Sequence, residues 1–416
     1  MSGLSRRTLF AGAGGGIALG AAAGYGVASA TEPDAAESGN VIDLDRSFAF
    51  YAASAGGHQA GIATPPQRHS VLMTFDIVDG TTRTDLQVLF AKWSAAIAQL
   101  MQGKPVGSVQ PDRPGAVPDD TGEAYDLAAA GLTVTFGLGP GIFDERFGLA
   151  GKRPRKLEEL PALPSDTLEP ALSGGDLMLQ ACADDPQVAY HAIRDLARMA
   201  RGTAHTRWTV MGFGRASAGA GQSTPRNLQG FKDGTRNIKE SGDLDEFVWL
   251  ADGDDVDWMT GGAYMVSRKI RMDIETWDAD DVANQQQVIG RSKIEGAPLS
   301  GTHEFDAPDF AATGADGKPK IDATSHVALA AHENNNGLRI LRRGYNYTDG
   351  LNDLGLLDAG LLFIGFMKDQ QQFITLQEKL GRSDQLNEYI AHIGSALFAV
   401  PPAPQRGSYL ASALFA

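Results

Sequence analysis

One cysteine in 416 residues, Cys182, leaves no internal disulfide and no cysteine cage for zinc or an iron–sulfur cluster. Its setting, Leu177-Met-Leu-Gln-Ala-Cys182, reads as a small core residue of a strand rather than a nucleophile. Positive charge is scarce as well. Lysine and arginine number 36 against 51 aspartates and glutamates, a formal net charge of −15. That balance argues against nucleic acid and anionic membrane surfaces as partners, since both recruit basic patches. Also missing is a strongly apolar run of the ~20 residues that a membrane-spanning helix needs. The nearest approach, from Ala11 to about Val27, is rich in glycine and alanine. The mature chain is therefore expected to have no integral membrane span.

The same N-terminal segment carries an export signal. Ser5-Arg6-Arg7-Thr8-Leu9-Phe10 is a twin-arginine motif, and Ala28-Ser29-Ala30 fits a small-residue cleavage site. Residues 1–30 are expected to be a twin-arginine signal peptide, whose removal takes the charge from −15 to −17. This route carries folded proteins, so it suits a chain that takes up its cofactor in the cytoplasm. The expected address is extracellular, periplasmic or cell-envelope.

With 43% hydrophobic residues the remainder can bury a large core. Residues 31–66, rich in Ala, Gly, Ser and Pro, read as a linker and N-terminal extension. Then His69 to Val78 reads as a strand, and Thr82 caps a helix to about Met101. Gly131–Gly137 and Asp176–Cys182 are strands, Asp185-Pro186 starts a helix, and His205–Met211 is a fourth strand. The order β-α-β-β-α-β is that of a ferredoxin-like unit. A similar series recurs: strand 262–272, helix 278–289, strands 338–341 and 361–367, helices 370–380 and 385–392, strand 396–400. The fold class is thus α+β, with ferredoxin-like halves at 67–215 and 216–416.

Three stretches carry chemistry. His326 sits in Ser325-His-Val-Ala-Leu, and neutral imidazole is the commonest protein ligand for a transition metal. Arg342 lies in the β-like run Arg339-Ile-Leu-Arg-Arg343, where a fixed guanidinium can stabilise charge developing on oxygen. Asp233 stands in Gly230-Phe-Lys-Asp-Gly-Thr-Arg-Asn237, a loop with glycines on both sides. Taken singly, each has an ordinary reading: a core histidine, a turn aspartate, half of a surface ion pair.

Together these stretches resemble the dye-decolourising (DyP-type) haem peroxidases, in particular their exported deferrochelatase branch associated with bacterial iron uptake. Gly230-Phe-Lys-Asp-Gly234 matches the GxxDG signature, Ser325-His326 the proximal segment, and Ile340-Leu-Arg-Arg-Gly-Tyr345 the distal-arginine strand. Gly360–Phe366 and Leu397-Phe-Ala-Val-Pro401 match closing strands, so that the likeness spans about residues 65–405. One departure stands out. The family's His-Ile-Arg-x-Ala-Asn-Pro is here His326-Val-Ala-Leu-Ala-Ala-His332-Glu-Asn, which makes His332 a competing ligand and leaves any contact of the missing arginine without a counterpart.

The resemblance implies antiparallel sheets forming one dimeric-α/β-barrel-like unit, with haem b in the C-terminal half. It implies His326 as iron ligand, with Asp233, Gly234, Arg342 and Glu388 also in the cofactor site. Asp233 is the expected proton shuttle and Arg342 the electrostatic support. Glu388, favoured over Asp384 on a shared helix face, is the expected partner of the proximal histidine. Hydrogen peroxide and small one-electron donors such as dyes and phenols are the implied substrates, oxidised through a ferryl intermediate. A copper- or iron-uptake protein is the implied partner, and iron release from haem is the alternative activity.

Overall fold

One antiparallel sheet is built twice from the same plan. This computed structural model describes residues 42–216, 222 and 224–416, so the expected signal peptide lies outside the described residues. The first half runs β1 (His69–Ile77), α1 (Arg83–Leu100), β2 (Thr133–Leu138), β3 (Leu177–Ala183), α2 (Pro186–Met199) and β4 (Ala204–Gly212). Its strands pair in the order β4-β1-β3-β2, the ferredoxin-like arrangement. The second half contains α3 (Ser241–Phe247), β5 (Ala263–Met272), α4 (Ile274–Ala279), α5 (Val282–Ile289) and α6 (His326–Ala330). It continues with β6 (Leu341–Arg342), β7 (Tyr345–Leu351), β8 (Leu357–Met367), α7 (Gln370–Ser383) and β9 (Ile390–Val400). β6 and β7 pair with β8 in one register, interrupted at Arg343-Gly344, and the order β9-β5-β8-β7 repeats the first half.

Two seams join the halves. Leu138 of β2 faces Ala399 of β9. Beyond β4, Phe213 and Asn346 exchange backbone hydrogen bonds of 2.8 and 2.9 Å. The sheet closes on itself, the barrel-like unit that the sequence resemblance implies. Closure removes the unpaired edges that an open sheet would expose. Gly212 sits at the second seam because a Cβ there would come within 2.5 Å of the Tyr345 side chain.

Local signals account for most helix starts. Thr82 and Asp85 form a reciprocal capping box on α1, and Asp185 caps α2 ahead of Pro186. Core residues of α1, including Leu86, Phe90 and Trp93, pack with Val134 and Phe136 of β2 and Leu179 of β3. Cys182 is a buried strand residue, as expected.

The structure also departs from the sequence reading. The helix expected at 278–289 is two helices, broken where Asp281 caps α5. The helix expected at 385–392 is a single 3₁₀ turn, Gln385–Glu388, followed at once by β9. Of the strand expected at 338–341, only Leu341 pairs, together with Arg342. Residues 42–66 lie against the barrel. Phe50 and Ile62 are buried, and Gln59 donates to the carbonyls of Phe136 and Pro401. No helix among the described residues is long and apolar enough to cross a membrane.

Candidate active site

A deep cavity opens in the second half, lined by His326, Asp233, Gly234, Arg342, Asp384 and a set of apolar and basic side chains. Each predicted residue except Glu388 reaches it. His326 is the first residue of α6, and Ser325 before it donates to the Asp322 carbonyl at 2.7 Å. The imidazole Nδ1 donates to Asp384 Oδ2 at 2.7 Å. That bond leaves the Nε2 lone pair available, the orientation a metal ligand needs.

Asp384, not Glu388, is therefore the partner of the histidine. The sequence reading assumed one continuous helix through both residues. Instead α7 ends at Ser383, Asp384 adopts an extended conformation (φ −69°, ψ 122°), and its Oδ1 caps the next turn at Leu386 N. The break turns Asp384 inward and leaves Glu388 exposed. Gln385 fixes the arrangement by donating from its backbone and side chain to Thr324 O and Oγ1, at 3.1 and 2.7 Å. Burial disfavours a charged imidazole at His326, but the charge and hydrogen bond of Asp384 outweigh it and raise its pKa. A more basic imidazole is also a stronger donor to a metal.

Asp233 and Arg342 meet directly, through Arg342 Nη1 and Asp233 Oδ1 at 2.8 Å. Burial would push the Asp233 carboxyl up, yet the charges of Arg342 and Arg215 hold it below the usual range. Gly234 follows with φ +131°, a conformation that side-chain-bearing residues rarely adopt, which allows the loop to turn at Asp233.

Two residues that sequence reasoning missed hold this pair in place. Arg215, buried just after β4, donates to the backbone carbonyls of Asp233 and Arg342, both at 3.1 Å. Asn237 closes a two-way clamp on Arg342, accepting from its N–H at 2.9 Å and donating to its carbonyl at 2.7 Å. Asn237 ends the loop already singled out in the sequence. For Arg215 the available signal was Gly212-Phe-Gly-Arg, a long cation placed directly at a strand end. His332 also lines the cavity, but its Nδ1 lies 3.5 Å from the half-exposed Glu333 and has no buried carboxylate.

The site is a deep cavity that holds a carboxylate-backed histidine and a carboxylate–guanidinium pair. The family comparison agrees. Residues 59–214 match the model "Dyp-type peroxidase, N-terminal", and residues 224–405 match "Dyp-type peroxidase, C-terminal". The chain belongs to the Dyp-type peroxidase family. It is 38% identical over 372 residues to a deferrochelatase of Escherichia coli (strain UTI89 / UPEC), covering 86% of each chain. DtpA from Streptomyces lividans, solved as an X-ray generated oxyferrous complex, gives a TM-score of 0.83 at 37% identity. That match covers 90% of this chain and 98% of DtpA. A DyP-type peroxidase from Cellulomonas bogoriensis gives 0.80 at 36% identity, over 89% and 98% of the two chains.

The residues present fit the haem expected from the sequence. His326, Asp233 and Arg342 lie deep in the chain, yet 37%, 20% and 33% of their side-chain surfaces remain uncovered. Groups enclosed but uncovered line a hollow made for a ligand. Its apolar lining, including Ile270, Leu361, Phe363 and Leu376, suits a macrocycle. In a chain of net charge −15, the lining also gathers Arg215, Arg236, Arg291, Arg339 and Arg342, which suits acidic substituents.

Proposed function

We propose that this chain is a haem b peroxidase that uses hydrogen peroxide to oxidise small one-electron donors, including dyes and phenols. The observation that carries the reading is the presence of two devices in one cavity. His326, backed by Asp384, offers a metal ligand, and Asp233, backed by Arg342, offers a proton acceptor.

Haem, when bound, supplies the iron that takes up peroxide and the electrons that cleave its O–O bond. The protein's part is to hold that iron and to move a proton. His326 would hold the iron through Nε2, with Asp384 fixing the ring and raising its basicity. Asp233 would accept a proton from one oxygen of peroxide and return it to the other, which would leave as water. Its Oδ1 is tied to Arg342, so Oδ2 is the atom that carries the proton. Arg342 supports negative charge on the departing oxygen. Arg215 and Asn237 keep both backbones fixed, so neither side chain must reorganise during the step.

Mixing the haem-loaded protein with peroxide in a stopped-flow spectrometer tests this reading. Rapid stoichiometric reaction, followed by donor oxidation, is the expected result. Haem binding without that reaction would favour the deferrochelatase reading suggested by the relatives' name, for which released iron is the product to assay.

We also propose export by the twin-arginine route, on the strength of Arg6-Arg7 ahead of the Gly/Ala segment. Replacing both arginines with lysine should retain the protein in the cytoplasm, and normal secretion of that variant would exclude the route. A partner from copper or iron uptake belongs to the same proposal, since such a partner would meet the protein outside the cytoplasm.

A further inference from the structure

The first half of the chain holds a second group of ligating side chains. His191 and Asp195 stand one turn apart on α2, and the segment between α1 and β2 brings Asp120 against them. Their ligating atoms all lie within 4.8 Å of one another, and none of the three residues is more than 5% exposed. His191 Nε2 lies 3.5 Å from Asp120 Oδ2 and 3.6 Å from Asp195 Oδ2. These separations are too long for good hydrogen bonds. They match the ~3.4 Å edge of a tetrahedron whose ligands sit about 2.1 Å from a central ion.

Hydrogen bonding alone leaves this cluster incomplete. Asp195 is fully buried, and its Oδ2, aimed at His191 Nε2, has no donor among the described residues. Leaving a buried carboxylate oxygen without a partner is costly. Only its other oxygen is served, by Thr121 N at 3.2 Å, with Arg198 Nε at 3.6 Å. Burial first, and the nearby Asp120 second, push the Asp195 carboxyl up. Asp120 is aimed by two backbone donors, Gly122 N on Oδ1 and Val106 N on Oδ2, and Oδ2 keeps a lone pair for a further contact.

On the far side of the ring, His191 Nδ1 faces Glu123 Oε2 at 3.2 Å, with Thr121 Oγ1 at 3.4 Å. A proton on Nδ1 directs the Nε2 lone pair at Asp120 and Asp195. A metal-ligating histidine usually donates its other ring N–H to a carboxylate, a backbone carbonyl or water. A cavity bordered by Asp120, His191, Tyr125 and Val188 adjoins the cluster and offers an entry path.

We propose that Asp120, His191 and Asp195 bind a divalent transition ion of the zinc type, with Glu123 orienting the imidazole. Water from the adjoining cavity fills the remaining position. One imidazole and two carboxylates suit zinc better than the all-oxygen shells of calcium or magnesium. The ion fastens the segment between α1 and β2 to α2, a structural role distant in sequence from His326.

The test uses the full-length mature protein loaded with haem, so that the haem cavity is closed to added metal. After chelator treatment, zinc ions are titrated by calorimetry and counted by elemental analysis, and the melting temperature is recorded with and without zinc. The expected result is one bound zinc per chain, with a rise in melting temperature. Asp195→Asn should weaken that binding by at least about tenfold and remove the thermal shift, while haem content is retained. If Asp195→Asn does not fold, His191→Gln carries the same expectation. The proposal is overturned by a wild-type protein that binds no zinc, or by variants that bind it as tightly as wild type.

Discussion

Arg342 donates to Asp233 across 109 residues of sequence, through a 2.8 Å contact that joins the proton acceptor and the supporting cation into one unit. Burial pushes the Asp233 carboxyl up, while the charges of Arg342 and Arg215 bring it below the usual range. In the proposed mechanism the two roles are therefore coupled, because the cation assigned to the departing oxygen also lowers the pKa of the assigned base.

Arg342→Ala should slow the reaction with peroxide by about 100-fold, the scale of losing one preorganised donor to developing charge. It should also move the acid limb of the pH profile. Asp233 accepts a proton only when ionised, and Arg342 lowers its pKa. Without Arg342 that pKa rises, so activity is lost at a higher pH as the solution is acidified. Stopped-flow rates from about pH 4 to 8 bracket the carboxylate and imidazole reference values. A slower reaction with an unmoved limb would count against the coupling.

Asp233→Asn keeps the side chain's shape but removes the acceptor. The peroxide reaction should slow by roughly 10²- to 10⁴-fold, the usual contribution of a positioned base. Its acid limb should disappear. A variant with the wild-type rate and pH profile would leave Arg342, or a water molecule, to manage the cleavage.

Replacing the carboxylates near His326 separates two assignments. Asp384→Asn should weaken haem retention by about 10- to 100-fold, as loss of a carboxylate behind a ligating histidine does, and should raise the haem reduction potential. Glu388→Gln should change neither, because Glu388 is exposed. Equal effects of the two substitutions would reject Asp384 as the specific partner.

Most of the barrel was legible because its signals are local. Thr82 and Asp185 cap their helices in the structure as in the sequence, and β1 to β4 fall where the apolar runs lie. His326, Asp233 and Arg342 were found by their motifs, and folding brings all three to one cavity. What escaped depends on chain contacts that no local pattern encodes. The 385–388 segment has helical composition, but Asp384 serves both His326 and Leu386 N, and this double duty breaks the helix. β7 contains Asp349-Gly350, a turn-like pair at which its register shifts, and pairing with β8 on either side makes it a strand. α6 spans only five residues, too few to show a period. Arg215 had no sequence partner to suggest its role, because its acceptors are backbone carbonyls far along the chain.

Arg215→Gln should reveal that role as stability. It removes a charged donor from two backbone carbonyls, at a cost of ~3 kcal/mol at the scale of such bonds. Urea unfolding should show a lower midpoint with an unchanged slope. Arg215→Lys should not restore it, because a single ammonium cannot reproduce the planar fork that spans both carbonyls. Wild-type stability in either variant would mean that the clamp contributes little.

The central claim is that His326 holds haem in this cavity, and haem titration of His326→Ala tests it most directly. Wild-type protein should take up one haem with a Soret band and the electron-spin signature of a histidine-ligated ferric centre. His326→Ala should lose stable haem binding and that signature, while its far-ultraviolet circular dichroism stays that of the folded barrel. A folded His326→Ala protein with wild-type haem affinity and an unchanged ligand signature would contradict the account and point to His332.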